Sequence, residues 1–148
     1  MFADFVRSGK VRAAQPDCAL AKSLLEMSKK GIVFGNTQSI TEDNASQVLI
    51  IYYEALRQVC EAVCALRGYK VYSQEAFTAF LKELIGNVRL AEKFDRLRKL
   101  RNGVNYYGET IGIEEALAVR KEVPALILTL KRMIKLNEQG RLGLFINI

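Results

Sequence analysis

The sequence predicts an all-α fold, an up-and-down antiparallel bundle of four to five helices. Apolar residues recur at spacings of three and four over most of the chain, and no segment sustains the alternation of a β-strand. Its 148 residues, 50% of them hydrophobic, are enough to bury one core. We therefore expect a single domain over residues 1–148, with a short lead at 1–15 and an apolar tail at 140–148.

Two helices are predicted in the first half of the chain. The first begins near Pro16 and Asp17, residues suited to a helix start, and is expected to end around Gly31 to Gly35. The second begins at Thr41–Asp43, where a side-chain oxygen can cap free N–H groups, and runs to about Arg67 before Gly68. Its apolar residues cover most of its circumference, which is typical of a central helix or of a helix at an interface. They leave a narrow polar stripe of Glu54, Arg57, Gln58 and Glu61.

Two or three further helices are predicted in the second half. A short third helix begins after Ser73 and ends at Gly86. The fourth is expected to fray or bend within Asn102–Gly108, which contains an Asn-Gly pair. A last helix begins near Glu114, carries Ile134 inward near its end, and is kinked or split by Pro124. The fourth helix has an inward stripe that includes one arginine: Leu90, Phe94, Leu97, Arg101 and Val104.

The residue types and motifs that the sequence lacks limit the catalytic and metal-binding chemistry that the protein can perform. The chain has no histidine, which excludes Ser-His and Cys-His nucleophilic pairs and histidine metal sites, while lysine and tyrosine bases remain. Cys60 and Cys64 lie one helical turn apart on an apolar face and are expected to pack as reduced thiols. No phosphate-binding glycine loop or dinucleotide motif is visible. We expect neither a metal nor a cofactor.

The distribution of apolar residues predicts where in the cell the protein is located. No apolar stretch approaches the roughly 20 residues of a membrane-spanning helix, and Met1–Lys10 lacks the apolar run of a secretory signal. A cytoplasmic protein is expected. Leu142–Ile148 is apolar and is predicted to form an extended strand that packs on its own bundle, with a second subunit as the alternative.

Positive charge is concentrated in the fourth helix. The net charge is +6, and an excess of this kind favours anionic partners such as nucleic acid. The cluster is diluted by Asp95, and it is either a solvated helix face or a set of phosphate contacts. Its basic residues are Lys93, Arg96, Arg98, Lys99 and Arg101.

Arg101 lies on the apolar side of its helix, where an unpaired charge is costly. One interpretation is an ion pair with Glu54 or Glu61 that sets the helix register. The alternative is that Arg101 lines a cleft and binds phosphate through its paired donors. Tyr106 and Tyr107 follow closely and either stack on bases or pack at the helix end.

The run Asp95–Gly108, with its Arg-Asn pair, resembles archaeal and bacterial proteins of the HEPN family. Tyr53–Arg57 and Gly68–Lys70 add to the resemblance, which covers about Pro16 to Leu136. It implies a homodimer whose fourth helices face each other and build a cleft at their Arg-Asn segments. Many members are RNases that use an arginine and a histidine with four to six residues between them. Others are partners of small nucleotidyltransferases, often in toxin-antitoxin pairs.

Arg101 and Asn102 match the start of the family's motif, but the possible histidine positions hold Tyr106, Tyr107 and Gly108. Histidine titrates near neutral pH, whereas tyrosine, with an ordinary pKa of about 10, stays protonated there. Loss of such a base typically costs about a hundred to ten thousand fold in rate. We therefore expect a protein that no longer cleaves RNA efficiently.

The expected function is binding of RNA, a nucleotide or a nucleotidyltransferase partner by a HEPN-like dimer. Arg101 and Asn102 are expected at the centre of the site, with Asn105 and the basic cluster as further contacts and Glu54, Arg57 and Glu61 in support. Two alternatives stay open. One is a metal-independent endoribonuclease that uses Arg101 with Tyr106 or Tyr107, and the other is a helical interaction scaffold.

Overall fold

A computed structural model of the chain, which describes residues 1–137 and 139–144, is mostly helical. This confirms the all-α class. Two small antiparallel sheets accompany the helices, β1 (Val11–Ala13) with β2 (Tyr69–Val71) and β3 (Ile134–Leu136) with β4 (Leu142–Leu144). The helices of the described part are α1 (Phe2–Arg7), α2 (Cys18–Thr37), α3 (Ala45–Arg67), α4 (Gln74–Ala79), α5 (Val88–Tyr107) and α6 (Ile113–Lys131).

The long helix α3 is the centre of the fold, which is one of the two positions that its sequence predicts. It packs against α2, α5 and α6, and most of its side chains are buried. Adjacent Tyr52 and Tyr53 have no exposed surface. The helix ends at Gly68, whose φ of +91° is a left-handed conformation that glycine adopts readily. The predicted stop at Gly68 is therefore confirmed.

The helix α2 is longer than its glycines predict, because it continues through Gly31 and Gly35 to Thr37. The expected end around Gly31 to Gly35 is wrong. Both glycines serve close packing against α3. A Cβ atom at Gly35 would lie 3.0 Å from Cζ of Tyr52, and one at Gly31 would lie 3.7 Å from Cβ of Ala55. The contact between two helices thus outweighs the low helix propensity of glycine.

One arginine from α6 closes the C-terminal end of α2. Arg120 donates from Nη2 to the carbonyl oxygens of Gly35, at 3.0 Å, and Gln38, at 2.5 Å. Its Nε donates to the hydroxyl oxygen of Tyr52 at 3.2 Å, and that hydroxyl also bonds Oδ1 of Asn36. Carbonyls at a helix end lack intrahelical partners, so Arg120 stabilises the last turn of α2.

The helices α5 and α6 are more continuous than predicted. The helix α5 runs through the Asn-Gly pair to Tyr107 and ends at Gly108, with φ +65°. Gly103 is buried, and a Cβ atom there would lie 3.0 Å from Cδ of Glu109, so this glycine allows the following loop to fold back. The expected fraying or bend within Asn102–Gly108 is therefore wrong. The helix α6 continues through Pro124, so the chain is not split there.

Three further elements differ from the prediction in detail: the third helix, the end of the last helix and the lead at 1–15. The third helix consists of α4 followed by a π-helical turn at Phe80–Leu84, before Gly86. Ile134, predicted inside the last helix, lies in β3. The helix α1 and strand β1 give the lead at 1–15 a structure of its own, and Val11 is buried.

The apolar C-terminal tail is described as far as Leu144. Its residues 142–144 form β4, which pairs with β3 and packs against α2 and α3. This agrees with the predicted strand on its own bundle, whereas residues 145–148 of that prediction lie outside the described residues. None of the helices in the described ranges combines the length and apolar character needed to cross a membrane.

The two glycines of α2 should respond oppositely to a methyl group. Gly35→Ala should lower the free energy of unfolding by about 1–3 kcal/mol, because Tyr52 is held by its hydroxyl and cannot retreat. The matched control Gly31→Ala should raise it by up to about 1 kcal/mol, since ordinary contact leaves only the gain in helix propensity. Urea unfolding of both variants measures the two signs. Equal effects would contradict the close approach at Gly35.

Candidate functional site

Three parts of the chain meet at a polar cleft of about 290 Å³. The helix α3 contributes Glu54 and Arg57, and α5 contributes Arg101. The segment joining β2 to α4 contributes Tyr72, and the first residue of α4 is Gln74, which also lines the cleft. The inward stripe of α5 brings Arg101 to the cleft, while the polar stripe of α3 brings the two charged residues that face it. The cleft therefore contains two of the supporting residues predicted from the sequence.

Arg101 is buried, with 9% of its side chain exposed. Its Nη1 donates to Oδ1 of Asn102 at 3.1 Å, and its Nη2 donates to Oε1 of Glu54 at 3.5 Å. Its Nε is buried without a hydrogen-bond partner in the described part of the chain. A guanidinium group has five N–H donors, so Arg101 holds more hydrogen-bonding capacity than these contacts use.

Glu54 is bound more closely by Arg57 than by Arg101. Arg57 donates from Nε to Oε2 of Glu54 at 3.1 Å and from Nη1 to Oε2 of Glu61 at 2.6 Å. Burial opposes the charge of Arg57, but the hydrogen bonds and charges of Glu54 and Glu61 outweigh it and raise the pKa of Arg57. Glu54, Arg57 and Glu61 thus form a row of ion pairs along α3, and Arg101 contacts this row at Glu54.

Tyr53 forms the wall beneath Arg101. Cζ of Arg101 lies 5.3 Å from the centre of the Tyr53 ring, a cation–π distance. The Tyr53 hydroxyl donates to Oε1 of Gln74, which links α3 to the start of α4. Burial raises the pKa of Tyr53, so the phenol is protonated and acts as a donor at neutral pH. This network holds Arg101 in place from below.

The end of α5 beside the cleft is exposed. Tyr106 and Tyr107 are 69% and 78% exposed, and Asn105 is also exposed. The Tyr106 ring is the nearer of the two, with its centre 6.0 Å from Cζ of Arg101. The structure therefore places Arg101, Asn102 and Tyr106 together, with Tyr107 and Asn105 on the adjoining surface.

The other basic residues of the α5 cluster do not join this cleft. Arg96 pairs with Glu122 of α6 at 2.5 Å. Arg98 and Lys99 both pair with Asp95, at 2.8 and 3.0 Å. Burial opposes the charge of Asp95, but hydrogen bonds from Arg98 and Lys99 outweigh it and lower the pKa of that carboxyl. Four of the five basic residues of this cluster, Arg101 included, thus have a carboxylate partner within the fold.

Both sequence interpretations of Arg101 describe part of what the structure shows. Arg101 is buried and faces Glu54, as the ion-pair interpretation requires, and it also lines a cleft. Tyr72 and Gln74 are cleft residues that sequence reasoning missed. They lie in a connecting segment and in the first turn of a short helix, where no periodic pattern or motif marks them.

The cysteines have structural positions. Cys60 and Cys64 are buried in the core and unpaired, as predicted, and Cys18 is half-buried. Burial and the neighbouring Cys60 raise the pKa of the Cys64 thiol, which keeps it protonated. Within residues 1–137 and 139–144, no three histidine, cysteine, aspartate or glutamate side chains cluster as a metal site would require.

Comparison with known proteins assigns no family. No protein-family model matches the chain, and a search of curated proteins found no match.

The contact between Arg101 and Glu54 can be measured with a matched pair of variants. Glu54 and Glu61 both bind Arg57, but only Glu54 also faces Arg101. Glu54→Gln should lower the free energy of unfolding by about 1–3 kcal/mol more than Glu61→Gln, because it weakens the pairing of a buried guanidinium. Chemical denaturation gives the difference. Equal losses would show that Glu54 contributes nothing to holding Arg101.

Proposed function

We propose that the protein is a HEPN-like dimeric domain that binds single-stranded RNA at the Arg101 cleft without cleaving it efficiently. One observation carries the proposal. A buried arginine with unused donors lies beside an exposed pair of tyrosines at the end of one helix. This combines a group that binds phosphate with groups that stack on bases.

Arg101 is the phosphate-binding group in this proposal. Its contact with Glu54 is long at 3.5 Å, and Glu54 keeps its closer contact with Arg57 at 3.0 Å. A phosphate oxygen can therefore take donors of Arg101 while Glu54 keeps its ion pair with Arg57. Asn102, already bonded to Nη1, orients the guanidinium and offers an amide for a further hydrogen bond.

Tyr106 and Tyr107 are the base-stacking groups. Their rings are mostly exposed, so stacking on a base removes apolar surface from water without unpacking the core. Stacking of this kind contributes about 1–3 kcal/mol per base and tolerates any base. We infer weak sequence preference, because contacts with phosphate carry no sequence information and stacking tolerates any base.

The resemblance to HEPN proteins supports the dimer. In that arrangement the ends of α5 from two subunits face each other, so that two Arg-Asn pairs line one groove for the RNA backbone. Exposed Tyr106 and Tyr107 then lie along the walls of this groove, where they contact either RNA or the second subunit.

Inefficient cleavage follows from the residue types present. Cleavage through the 2′-hydroxyl transfers its proton to a base, while the 2′-oxygen attacks phosphorus and expels the 5′-oxygen. The chain has no histidine for this transfer, and tyrosine is a weak acceptor near neutral pH. The proposed role is binding.

A helical interaction scaffold is the second candidate, and the Arg101–Glu54 pair favours it. If Glu54 satisfies Arg101, the guanidinium serves only to set the register of α5 against α3, which is an established use of buried ion pairs. The cleft then has no ligand. RNA binding separates the two candidates.

Binding of a labelled single-stranded RNA should depend on the exposed tyrosines. The double variant Tyr106→Ala/Tyr107→Ala should bind about tenfold or more weakly, because it removes the stacking surface and leaves the core intact. Affinity should also fall as salt rises, as phosphate contacts require. Fluorescence anisotropy at low and moderate salt measures both effects.

The matched control for this experiment is Phe34→Ala, which removes an aromatic ring of similar exposure on α2 and should leave RNA binding unchanged. Light scattering on the same samples should give about twice the 16.7 kDa chain mass. Absence of binding at low salt would favour the scaffold, and a monomer would remove the shared groove.

A histidine placed beside Arg101 should create cleavage. Tyr106→His puts an imidazole at an exposed position near the guanidinium of Arg101. The rate of RNA cleavage by this variant should rise through about pH 6 to 7 as the imidazole loses its proton. Tyr107→His, which stands further from Arg101, is the matched control and should gain less. Cleavage of labelled RNA without metal is the measurement, with circular dichroism to check the fold. Efficient cleavage by the wild-type protein would contradict the proposed loss of the base.

A further inference from the structure

The outward face of α2 carries an apolar depression of about 570 Å³. It is lined by residues at spacings of three and four along the helix, so they share one face. Val33 and Phe34 form its apolar part, and they are 58% and 55% exposed. Single exposed apolar residues are ordinary, but adjacent ones in a depression mark a binding surface more often.

A second depression of about 240 Å³ continues the first across to α6. The two share Lys29 and Val33, so they form one trough, which we call the α2–α6 groove. Its far side is apolar and includes Pro124 and Leu128, the latter 49% exposed. The groove lies between α2 and α6 and shares no residue with the Arg101 cleft between α3 and α5.

The rim of the α2–α6 groove is basic. Lys29 and Lys30 line it on α2, and Lys131 lines it on α6. All three are exposed, and none forms an ion pair with the residues that the structure describes. Glu26 is the one acidic residue among the described lining residues, and it lies at the α2 end of the groove. The groove therefore combines an apolar floor with an unbalanced positive rim.

We propose that the α2–α6 groove binds an amphipathic helix of a protein partner whose polar face is acidic. The stretch Glu26–Thr37 spans about 17 Å at 1.5 Å per residue, which matches roughly three turns of a docked helix. The partner's apolar face covers Val33, Phe34 and Leu128, in the helix-in-groove mode of recognition. Its carboxylates pair with the three lysines, and one basic residue near its end reaches Glu26.

The charge of the rim disfavours the other occupants. A second copy of this chain, docked through the same face, brings lysines against lysines, and like charges in contact weaken association. A bilayer with anionic lipids suits the lysines, but it is nearly flat on this scale and cannot follow the floor of a groove. An acidic helix satisfies both the shape and the charge.

The test uses two synthetic helical peptides of about 14 residues with the same apolar face. One carries glutamates on its polar face and the other carries lysines. The glutamate peptide should bind with a Kd below about 1 mM, and the lysine peptide should bind at least about tenfold more weakly. Fluorescence anisotropy of the full chain with each labelled peptide measures both.

Variants locate the peptide. Phe34→Asp should abolish binding of the glutamate peptide, and Lys29→Glu/Lys131→Glu should weaken it about tenfold while improving the lysine peptide. Tyr106→Ala is the matched control on the other surface and should leave the binding of both peptides unchanged, so that failure of RNA binding and failure of this proposal remain distinct. Circular dichroism confirms that each variant is folded.

Several outcomes would overturn the proposal. They are no binding of the glutamate peptide, equal binding of the two peptides, and binding that survives Phe34→Asp. Two further arms address the other occupants. If Phe34→Asp lowers the mass of the protein in light scattering, the groove is an interface between copies of this chain. If the protein sediments with phosphatidylserine vesicles and Phe34→Asp releases it, the groove is a membrane surface.

Discussion

The structure depends on one constraint, which is that the hydroxyl groups of Tyr52 and Tyr53 need hydrogen-bond partners. Both side chains lie fully buried on α3, where an unpaired hydroxyl is costly. Tyr52 finds its partners in Asn36 of α2 and Arg120 of α6. Tyr53 finds Gln74 at the start of α4, and its ring supports Arg101 of α5. Consecutive residues of a helix point about 100° apart, so the pair ties different neighbours to one central helix. The Arg101 cleft is one result of this arrangement.

Local signals in the sequence were enough to predict much of the fold. The stop at Gly68, the burial of most of α3 and the inward direction of Arg101 all follow from spacing and turn chemistry within a few residues. The end of α2 could not be predicted in this way. Gly35 reads locally as a helix stop, but the Tyr52 ring 17 residues later in the chain occupies the space that a side chain would need. Tertiary contact outweighed local propensity there.

The sequence predicted only part of the candidate site. The cleft residues that it missed, Tyr72 and Gln74, are also positioned by contacts between distant parts of the chain. Arg101 and Glu54 stand on helices with clear periodicity, so the sequence could place both on faces that meet. Tyr72 lies between β2 and α4, and Gln74 is the first residue of α4. Both follow directly on β2, which is held in place by its pairing with β1. That pairing joins three-residue strands far apart in sequence, and strands so short leave no readable alternation.

Pairing rather than number decides where the positive charge of this protein acts. The α5 cluster is the densest basic run in the sequence, yet Arg96, Arg98 and Lys99 all pair with carboxylates, those of Glu122, Asp95 and Glu75. The lysines of the α2–α6 groove are fewer and more widely spaced, but no described carboxylate pairs with them. A charge already paired within the fold attracts a ligand weakly, whereas an unpaired one keeps its full field. Part of the net charge of +6 therefore lies at the α2–α6 groove, a surface that was not predicted from the sequence. This unpaired positive charge steers an acidic partner toward the groove.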